Sequence, residues 1–428
     1  MKGRVCVKSF GCATNFADGE TIKGCLATSG YKLVTETEDA AILVYNTCAV
    51  KAPTENRIVN ILRASPAGKK IIVTGCLPLI NLARLKADVR FDAALGPAIG
   101  SEIVDVVRRV EMGERVVDLT NNSQPSYDLP KIRRNRMIEI LPISYGCLGD
   151  CAYCCVRFAR GVSRSYSVQD ILKRIKQALA EGVKEVWLTA QDSGCYGKDI
   201  GTDLATLLSH VAKLDGDFFI RVGMMTPNYV IGMLSELIEV YKDSEKIFKF
   251  LHLPVQSGDD EILRLMHRHY SVDDFMKIVD SFRREIPEIT IATDIICGFP
   301  EESEKAFKRS TEVIEEIRPD IVNVSKFFAR PKTLAGRMAQ LPVRTVRERS
   351  KKMAELVRKI LLEKNESWIG WTGRILVDEK GSGNSWIGRN YAYKPVVVGS
   401  GENLLGKFLN VQVKKAFATY LEAENILD

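Results

Sequence analysis

The densest chemistry in this 428-residue chain is Cys147-Leu148-Gly149-Asp150-Cys151-Ala152-Tyr153-Cys154. Three thiols at CxxxCxxC spacing can bind three corners of one [4Fe–4S] cube. A cluster used only for electron transfer usually takes four cysteines, so three leave one iron open to another ligand. The same three could instead build a zinc site completed by a distant cysteine. Cys155 follows at once. A local turn cannot aim both neighbours at one cube, so Cys155 is a spare thiol able to swap in.

A second trio is Cys12, Cys48 and Cys76, 36 and 28 residues apart. No local motif joins them, yet each follows a predicted strand by one to three residues. In a parallel sheet the C-terminal strand ends share one edge, where ligands bind. The three thiols can therefore converge on a second cube, again one short of four. The plain alternative is three unrelated buried cysteines, free cysteine being commonly buried. Gly11 and Gly75 precede two of them and let the backbone come close to a cluster. Cys6, Cys25, Cys195 and Cys297 lack either pattern and read as core thiols.

The elements that must position these residues form an α/β chain. Residues 1–120 alternate strands (Arg4–Phe10, Ala41–Tyr45, Ile71–Thr74, Phe91–Leu95) with helices (Asp18–Thr28, Thr54–Ala64), which argues for a parallel sheet. A polar stretch, Thr120 to Ser126, reads as a linker. Over 133–363 the alternation restarts in larger units, with strands at Ile138–Ser144, Glu185–Ala190, Phe218–Met224, Ile247–Val255, Ile289–Cys297 and Ile321–Phe328. Six β/α units predict a barrel or partial barrel whose chemistry sits at the C-terminal strand ends. In the first unit Ser167 can cap a helix whose apolar stripe runs from Val168 to Leu179, and Gly182 can end it. Residues 366–428 hold three of the four tryptophans. Strands predicted at Arg374–Asp378, Ala392–Val398 and Leu409–Val413, with Gly-Ser-Gly turns between them, suggest a small β-barrel.

With its setting after the first barrel strand, the CxxxCxxC motif resembles the radical-SAM superfamily. There the open iron chelates S-adenosylmethionine, whose reductive cleavage releases a 5′-deoxyadenosyl radical; the resemblance puts Tyr153 near the adenine. Both trios together are similar to the radical-SAM methylthiotransferase family over nearly the whole chain. The matching segments include Phe10-Gly11-Cys12-Ala13-Thr14-Asn15, Asn46-Thr47-Cys48, Thr74-Gly75-Cys76, Ala159-Arg160-Gly161, Leu188-Thr189-Ala190-Gln191-Asp192, Leu253-Pro254-Val255-Gln256-Ser257-Gly258 and Asp294 to Pro300. The last domain is similar to TRAM, an RNA-binding β-barrel. Asp199 to Leu204 and Ile291 to Pro300 look most like the archaeal and eukaryotic branch, which acts on N6-threonylcarbamoyladenosine at tRNA position 37.

The resemblance implies methylthiolation of C2 of that base, two [4Fe–4S] clusters and S-adenosylmethionine as cofactors, and the tRNA anticodon loop as partner. Gln191, at the second strand end, is the candidate for the methionine amino group, and Arg221, on the third strand, for its carboxylate. The substrate carboxylate suits a bidentate arginine, and Arg157 and Arg330 adjoin matched motifs near the barrel mouth. The sequence departs from the family pattern at Ala190, at Glu301-Glu302-Ser303 (usually Gly-Glu-Thr) and at Lys332, where glycine is usual. The alternatives are the same chemistry on another tRNA adenosine or a ribosomal-protein aspartate, or a non-catalytic zinc RNA-binding protein. A cobalamin-dependent radical enzyme fits less well, since no histidine precedes His210.

Composition agrees. Hydrophobic residues are 46% and charged residues 27%, which excludes wholesale disorder. Eleven cysteines, an odd count in a long chain, argue for a reduced cytoplasmic protein rather than a disulfide scaffold. No apolar stretch approaches the ~20 residues that span a bilayer, and the N-terminus has no signal-peptide character. Only four histidines are present, so metal chemistry rests on sulfur. The net charge of +7 is concentrated in residues 131–164 and 344–364, each +5. These segments suggest phosphate contacts.

Overall fold

A computed structural model describes residues 3–426. The N-terminal domain runs β1 (Arg4–Ser9), α1 (Ala13–Thr28), β2 (Lys32–Val34), β3 (Ile42–Thr47), α2 (Ala52–Arg63), β4 (Lys70–Gly75), α3 (Cys76–Asp88), β5 (Ala93–Leu95), α4 (Ile103–Glu111) and β6 (Val116–Asp118). Its six strands are all parallel, in the order β2-β1-β3-β4-β5-β6. Central β3 is buried along its whole length, as a parallel strand covered on both faces must be. Side-chain alternation splits the core in two. Val5, Val7, Ile42, Val44 and Ile72 pack with residues of α1 and α4. Cys6, Leu43, Tyr45, Ile71 and Val73 pack with residues of α2 and α3. The strand order reverses between β1 and β3, so a ligand crevice is expected at their C-terminal ends.

The second domain runs β7 (Ile138–Pro142), β8 (Ser144–Tyr145), α5 (Val156–Arg160), β9 (Arg164–Ser165), α6 (Val168–Ala180), β10 (Glu185–Thr189), α7 (Leu204–Ala212), β11 (Phe219–Val222), α8 (Pro227–Val230), α9 (Leu234–Asp243), β12 (Phe250–His252), α10 (Asp260–Leu265), α11 (Val272–Glu285), β13 (Thr290–Cys297), α12 (Glu304–Ile317), β14 (Ile321–Lys326) and α13 (Val343–Glu366). Two three-stranded parallel sheets, β7-β10-β11 and β12-β13-β14, are joined by backbone hydrogen bonds from Ile220 to Lys246 and Phe248. The result is an open six-stranded barrel, as the sequence predicts. Among the described residues no ladder joins β7 to β14. The N-terminal domain covers this gap: Ala13, Phe16 and Ala17 of α1 pack against Ile138 and Ile140, and Lys51 donates to Ser325 at 2.7 Å. Ser167 caps α6 by accepting from Asp170 N at 3.1 Å.

The last domain is a closed barrel of β15 (Thr372–Lys380), β16 (Ser385–Arg389), β17 (Pro395–Gly399), β18 (Phe408–Ala416) and β19 (Leu421–Asn425), ordered β15-β16-β17-β19-β18. Three strands are legible in sequence; β16 and β19 are not, because Gly388 breaks one apolar run and Glu422 and Glu424 alternate through the other. The predicted start at Ala392 is instead a turn, held by Asn390 Oδ1 accepting from Ala392 N and Lys394 N. The segment read as a linker is a strap against the barrel: Tyr166 donates to Pro125 O, and Tyr127 stacks on Tyr166 at 4.0 Å.

Candidate functional site

The first trio gathers at the switch point of the N-terminal sheet. Cys12 is the N-cap residue of α1, Cys48 follows β3, and Cys76 opens α3. Each thus leaves the C-terminal end of β1, β3 or β4; Cys12 lies at the positive end of the 16-residue α1, while α3 is kinked at Asn81, five residues beyond Cys76. Gly11, at φ +108, lies so close to Cys48 that a Cβ would stand 2.9 Å from its sulfur. Gly75, at φ +94, is crowded by Thr47 in the same way. Asn15 fixes the layout: it donates to Phe10 O at 2.7 Å and Thr47 O at 2.9 Å, tying the end of β1 to the end of β3. Burial pushes the Cys48 thiol up to about 11 and Cys76 up to about 12, with Cys12 a neighbouring group of both. Such thiols stay protonated until a metal takes them, which couples loading to proton release.

The second trio follows β8. The sulfurs of Cys147 and Cys151 flank Gly149, 3.4 and 3.7 Å from where its Cβ would stand. Burial raises Cys154, with Cys151 and Cys147 among its neighbours. Arg268, 8% exposed, donates from Nη1 to Cys151 Sγ at 3.3 Å and from Nη2 to Pro254 O at 3.3 Å. Cys155 stands between the trios: it is buried, its thiol donates to Ala49 O at 3.4 Å, and its electrostatic neighbours include Cys48 and Cys154. No three His, Cys, Asp or Glu side chains among the described residues are spaced to hold a single metal ion between them. Two sets of thiols, each with a buried guanidinium beside it, are a donor set suited to anionic iron–sulfur clusters.

The other expected residues divide. Tyr153 packs beside the second trio with Met266 and Phe299. Gln191 joins the trios: Oε1 accepts from Gly146 N at 2.7 Å, next to Cys147, and Nε2 donates to Thr14 Oγ1 at 3.3 Å, two residues from Cys12. Arg157 is exposed on α5. Arg330, expected at a substrate carboxylate, is 6% exposed and pairs with Glu55 of the N-terminal domain. Burial pushes Glu55 up, but Arg330 and Arg84 more than offset it and hold that carboxyl below its usual range. Arg221, expected at the cofactor, lies apart. Its guanidinium sits 5.3 Å from the rings of Trp187, Phe250 and Tyr393, in register with Trp187 and against Tyr393 of the C-terminal domain. Lys131, Arg133 and Arg349, read as phosphate contacts, are counterions to buried Glu139 and Glu302. Two departures from the family pattern, Glu301 at φ +65 and Lys332 at φ +67, occupy left-handed backbone that favours glycine.

Sequence reasoning missed Arg160, Arg268 and Asp18. Arg160 is 2% exposed and reaches from α5 into the first trio, donating to Asp18 Oδ2 at 2.7 Å. The signal available was spacing: Cys12, Asn15 and Asp18, three apart, share one helix face.

The chain matches the Radical SAM superfamily over residues 141–314, the uncharacterized protein family UPF0004 over 4–96 and the TRAM domain over 366–426. A Pyrococcus horikoshii protein named "Probable threonylcarbamoyladenosine tRNA methylthiotransferase" is 45% identical over 99% of this chain and 99% of its own. The chain belongs to the threonylcarbamoyladenosine tRNA methylthiotransferase family. The Homo sapiens relative of that name is 37% identical over 82% of this chain and 62% of its own length. Among solved structures, the radical S-adenosylmethionine methyltransferase TsrM from Kitasatospora setae has a TM-score of 0.57 at 13% identity, covering 78% of this chain and 74% of its own. That likeness concerns fold. Among the described residues no helix is long and apolar enough to cross a membrane.

Proposed function

We propose that this chain methylthiolates C2 of N6-threonylcarbamoyladenosine at position 37 of the tRNA anticodon loop, in the cytoplasm, with two [4Fe–4S] clusters and S-adenosylmethionine. The observation that carries this reading is the juxtaposition of the trios: Gln191 and Arg160 each bridge the domain that holds Cys12, Cys48 and Cys76 and the one that holds Cys147, Cys151 and Cys154. S-adenosylmethionine on a reduced cluster supplies a carbon-centred radical, which can break a C–H bond that offers a side-chain base nothing to work on. The chain's own residues then hold and orient. Cys147, Cys151 and Cys154 anchor one cluster, with Arg268 donating to Cys151. Tyr153 flanks the adenine. Gln191, already fixed at Gly146 N, keeps its amide at the junction of the sites. Cys12, Cys48 and Cys76 anchor the second cluster, which holds the sulfur to be inserted. Arg157, exposed on α5, is left to meet the threonylcarbamoyl carboxylate, since Arg330 is taken by Glu55.

The test is anaerobic reconstitution and turnover on tRNA with and without the threonylcarbamoyl group, followed by mass spectrometry of the digested nucleosides. About eight irons per chain, two cubes of four, and a methylthio gain only on the threonylcarbamoyl base are expected. A fully loaded enzyme that leaves that base unchanged overturns the substrate assignment.

A further inference from the structure

The fold treats the two basic segments of the chain differently. In the first, Lys131 and Arg133 turn inward to Glu139. The second is α13, 24 residues or about 36 Å long, and most of its charge stays outside. Arg349 pairs with buried Glu302 at 2.8 Å, and Lys364 with Asp320 at 3.5 Å. Arg344, Arg347, Lys351, Lys352, Arg358 and Lys359 are exposed. Arg344 and Lys351 reach Glu348 and Glu355, one turn on, at 2.7 and 3.8 Å. Among the described residues the other four have no ion pair. Arg347, Lys351 and Arg358, at i, i+4 and i+11, share one face of the helix, and Lys352 and Lys359 lie beside it. Met353, Val357 and Ile360 hold the opposite face in the core.

The helix is anchored at both ends of the barrel. Near its start, a Cβ on Gly298, just past β13, would stand 2.5 Å from Val346 Cγ2. At its end, Asn365 donates to Phe417 O of the last domain at 2.7 Å. It therefore runs from the mouth that holds the cysteines to the domain docked at the far end. Its exposed face suits a polyanion better than a protein. A stable protein interface is centred on apolar or aromatic anchors, and from 344 to 359 no large apolar side chain among the described residues is exposed. Six cations spread over about 22 Å, interrupted by Glu348 and Glu355 alone, match a row of phosphates instead. An RNA gripped by the last domain, with one base at the cysteines, has to pass along the barrel between these same two ends.

We infer that the exposed face of α13 is a phosphate track, and that the backbone of the anticodon stem lies along it between the last domain and the barrel mouth. The inference rests on tRNA as the substrate, and it adds the surface that carries the RNA from one end of the molecule to the other. Contacts of this kind fix register and supply affinity but read no bases. The track therefore holds any stem of the right shape, and the choice of nucleoside is left to the mouth.

The test uses the full chain, reconstituted anaerobically, and measures the Kd of tRNA bearing the threonylcarbamoyl group across a series of salt concentrations. The variant combines Arg347→Gln, Lys352→Gln, Arg358→Gln and Lys359→Gln, all exposed and all to a good helix former. At about 0.15 M salt its Kd is expected to rise about tenfold or more, and the slope of log K against log salt to become shallower by about two or more. The loss should be equal on tRNA lacking the threonylcarbamoyl group and should persist on an isolated anticodon stem-loop. Hydroxyl-radical footprinting should show stem protection in the parent complex that the variant lacks. Lys176→Gln with Lys277→Gln, on α6 and α11, removes charge elsewhere and is expected to change Kd by less than about twofold. Where the fourfold variant loads no iron, the pair Arg347→Gln and Arg358→Gln carries the test, with an expected loss of about threefold. Unchanged Kd and salt slope overturn the inference. So does a loss per charge no larger than that of the α6 and α11 pair, which is a net-charge effect. A loss on whole tRNA that vanishes on the stem-loop overturns the assignment to the stem. If the parent itself binds no tRNA, the underlying reading of the substrate fails, and the inference with it.

Discussion

Gly11 shows how much a single residue can fix. At φ +108 it occupies backbone that costs another residue about 1–2 kcal/mol. A Cβ there would also stand 2.5 Å from Cys48 Cβ, an atom fixed directly to the backbone rather than the tip of a flexible side chain. Gly11→Ala is expected to destabilise the N-terminal domain by at least about 2 kcal/mol and to lower iron loading on Cys12, Cys48 and Cys76. Thermal unfolding and iron content of the reconstituted protein measure both; a variant that loads and melts like the parent would show that the approach of Gly11 to Cys48 is not needed. The two glycines were legible in sequence because their partner cysteines sit beside them. Arg160 was not: Asn15 and Asp18 lie 145 and 142 residues away, and nothing local marks a side chain that crosses between domains. Arg221 was misplaced for a different reason. Alternation along β11 fixes which face a residue takes, but not its height in the barrel relative to Trp187 and Phe250.

At the scale of elements, the basic run before β7 illustrates charge that looks external and is internal. Glu139, with a fully buried side chain, accepts from Lys131 at 2.8 Å, Arg133 at 2.5 Å and Arg174 at 3.1 Å. Burial alone would push this carboxyl up. Three cations more than offset it and hold it down at about 2. Its folded-state value therefore lies below its unfolded one, and its stabilisation is complete above about pH 4.5 and lost as pH falls toward 2. Glu139→Gln leaves three cations without their carboxylate, so a loss of about 3–5 kcal/mol at pH 7 is expected. The gap between variant and parent should narrow as pH falls from 4.5 to 2, read from denaturant midpoints. A gap that stays constant over that range would remove Glu139 as the titrating group. Strand existence was legible where apolar residues dominate a run, as in the barrel strands, even though Glu139, Arg221 and Asp294 interrupt three of them. It failed for β2 and β6, the two edge strands of the first sheet, which are mostly exposed or half-buried and so lack the apolar run that marks buried β5 of the same length. It also failed to reveal that Lys131 and Arg133 fold back on Glu139, because a cation facing a buried carboxylate has the same local sequence as one facing phosphate.

Across the whole molecule the two ends of the barrel are divided between tasks. The cysteines follow the C-terminal strand ends, while the last domain docks at the opposite end. Asn135 donates to Asp378 O at 2.6 Å, Arg374 pairs with Asp217 at 2.5 Å, Lys249 N donates to Tyr391 O at 2.8 Å, and Lys394 pairs with Asp320 at 2.9 Å. Asn135, Asp217, Lys249 and Asp320 each stand one to three residues before a barrel strand. A cleft of about 1310 Å³ opens beside this junction, between α7, α9 and Trp371 to Arg374, away from the cysteines. An RNA held by the last domain must therefore extend along the barrel to present a base at the other end. At the centre of the junction Glu185, fully buried on β10, faces Asp378 of β15. Oε2 of the first and Oδ1 of the second lack partners, which one shared proton would satisfy. Burial, and then the Asp378 carboxylate, push Glu185 up to about 8. Its folded value is thus above its unfolded one, so this contact is at full strength below about pH 4.5 and weakens as pH rises through 8. Docking of the last domain should be tight at pH 6 and looser at pH 9, read as faster hydrogen exchange at β15 after correction for the intrinsic pH dependence of exchange. Glu185→Gln supplies a permanent N–H toward Asp378 and carries no charge, so its corrected exchange should stay flat from pH 6 to 9. Equal pH responses in parent and variant would assign the loosening to another group and leave the Glu185–Asp378 contact as a static part of the junction.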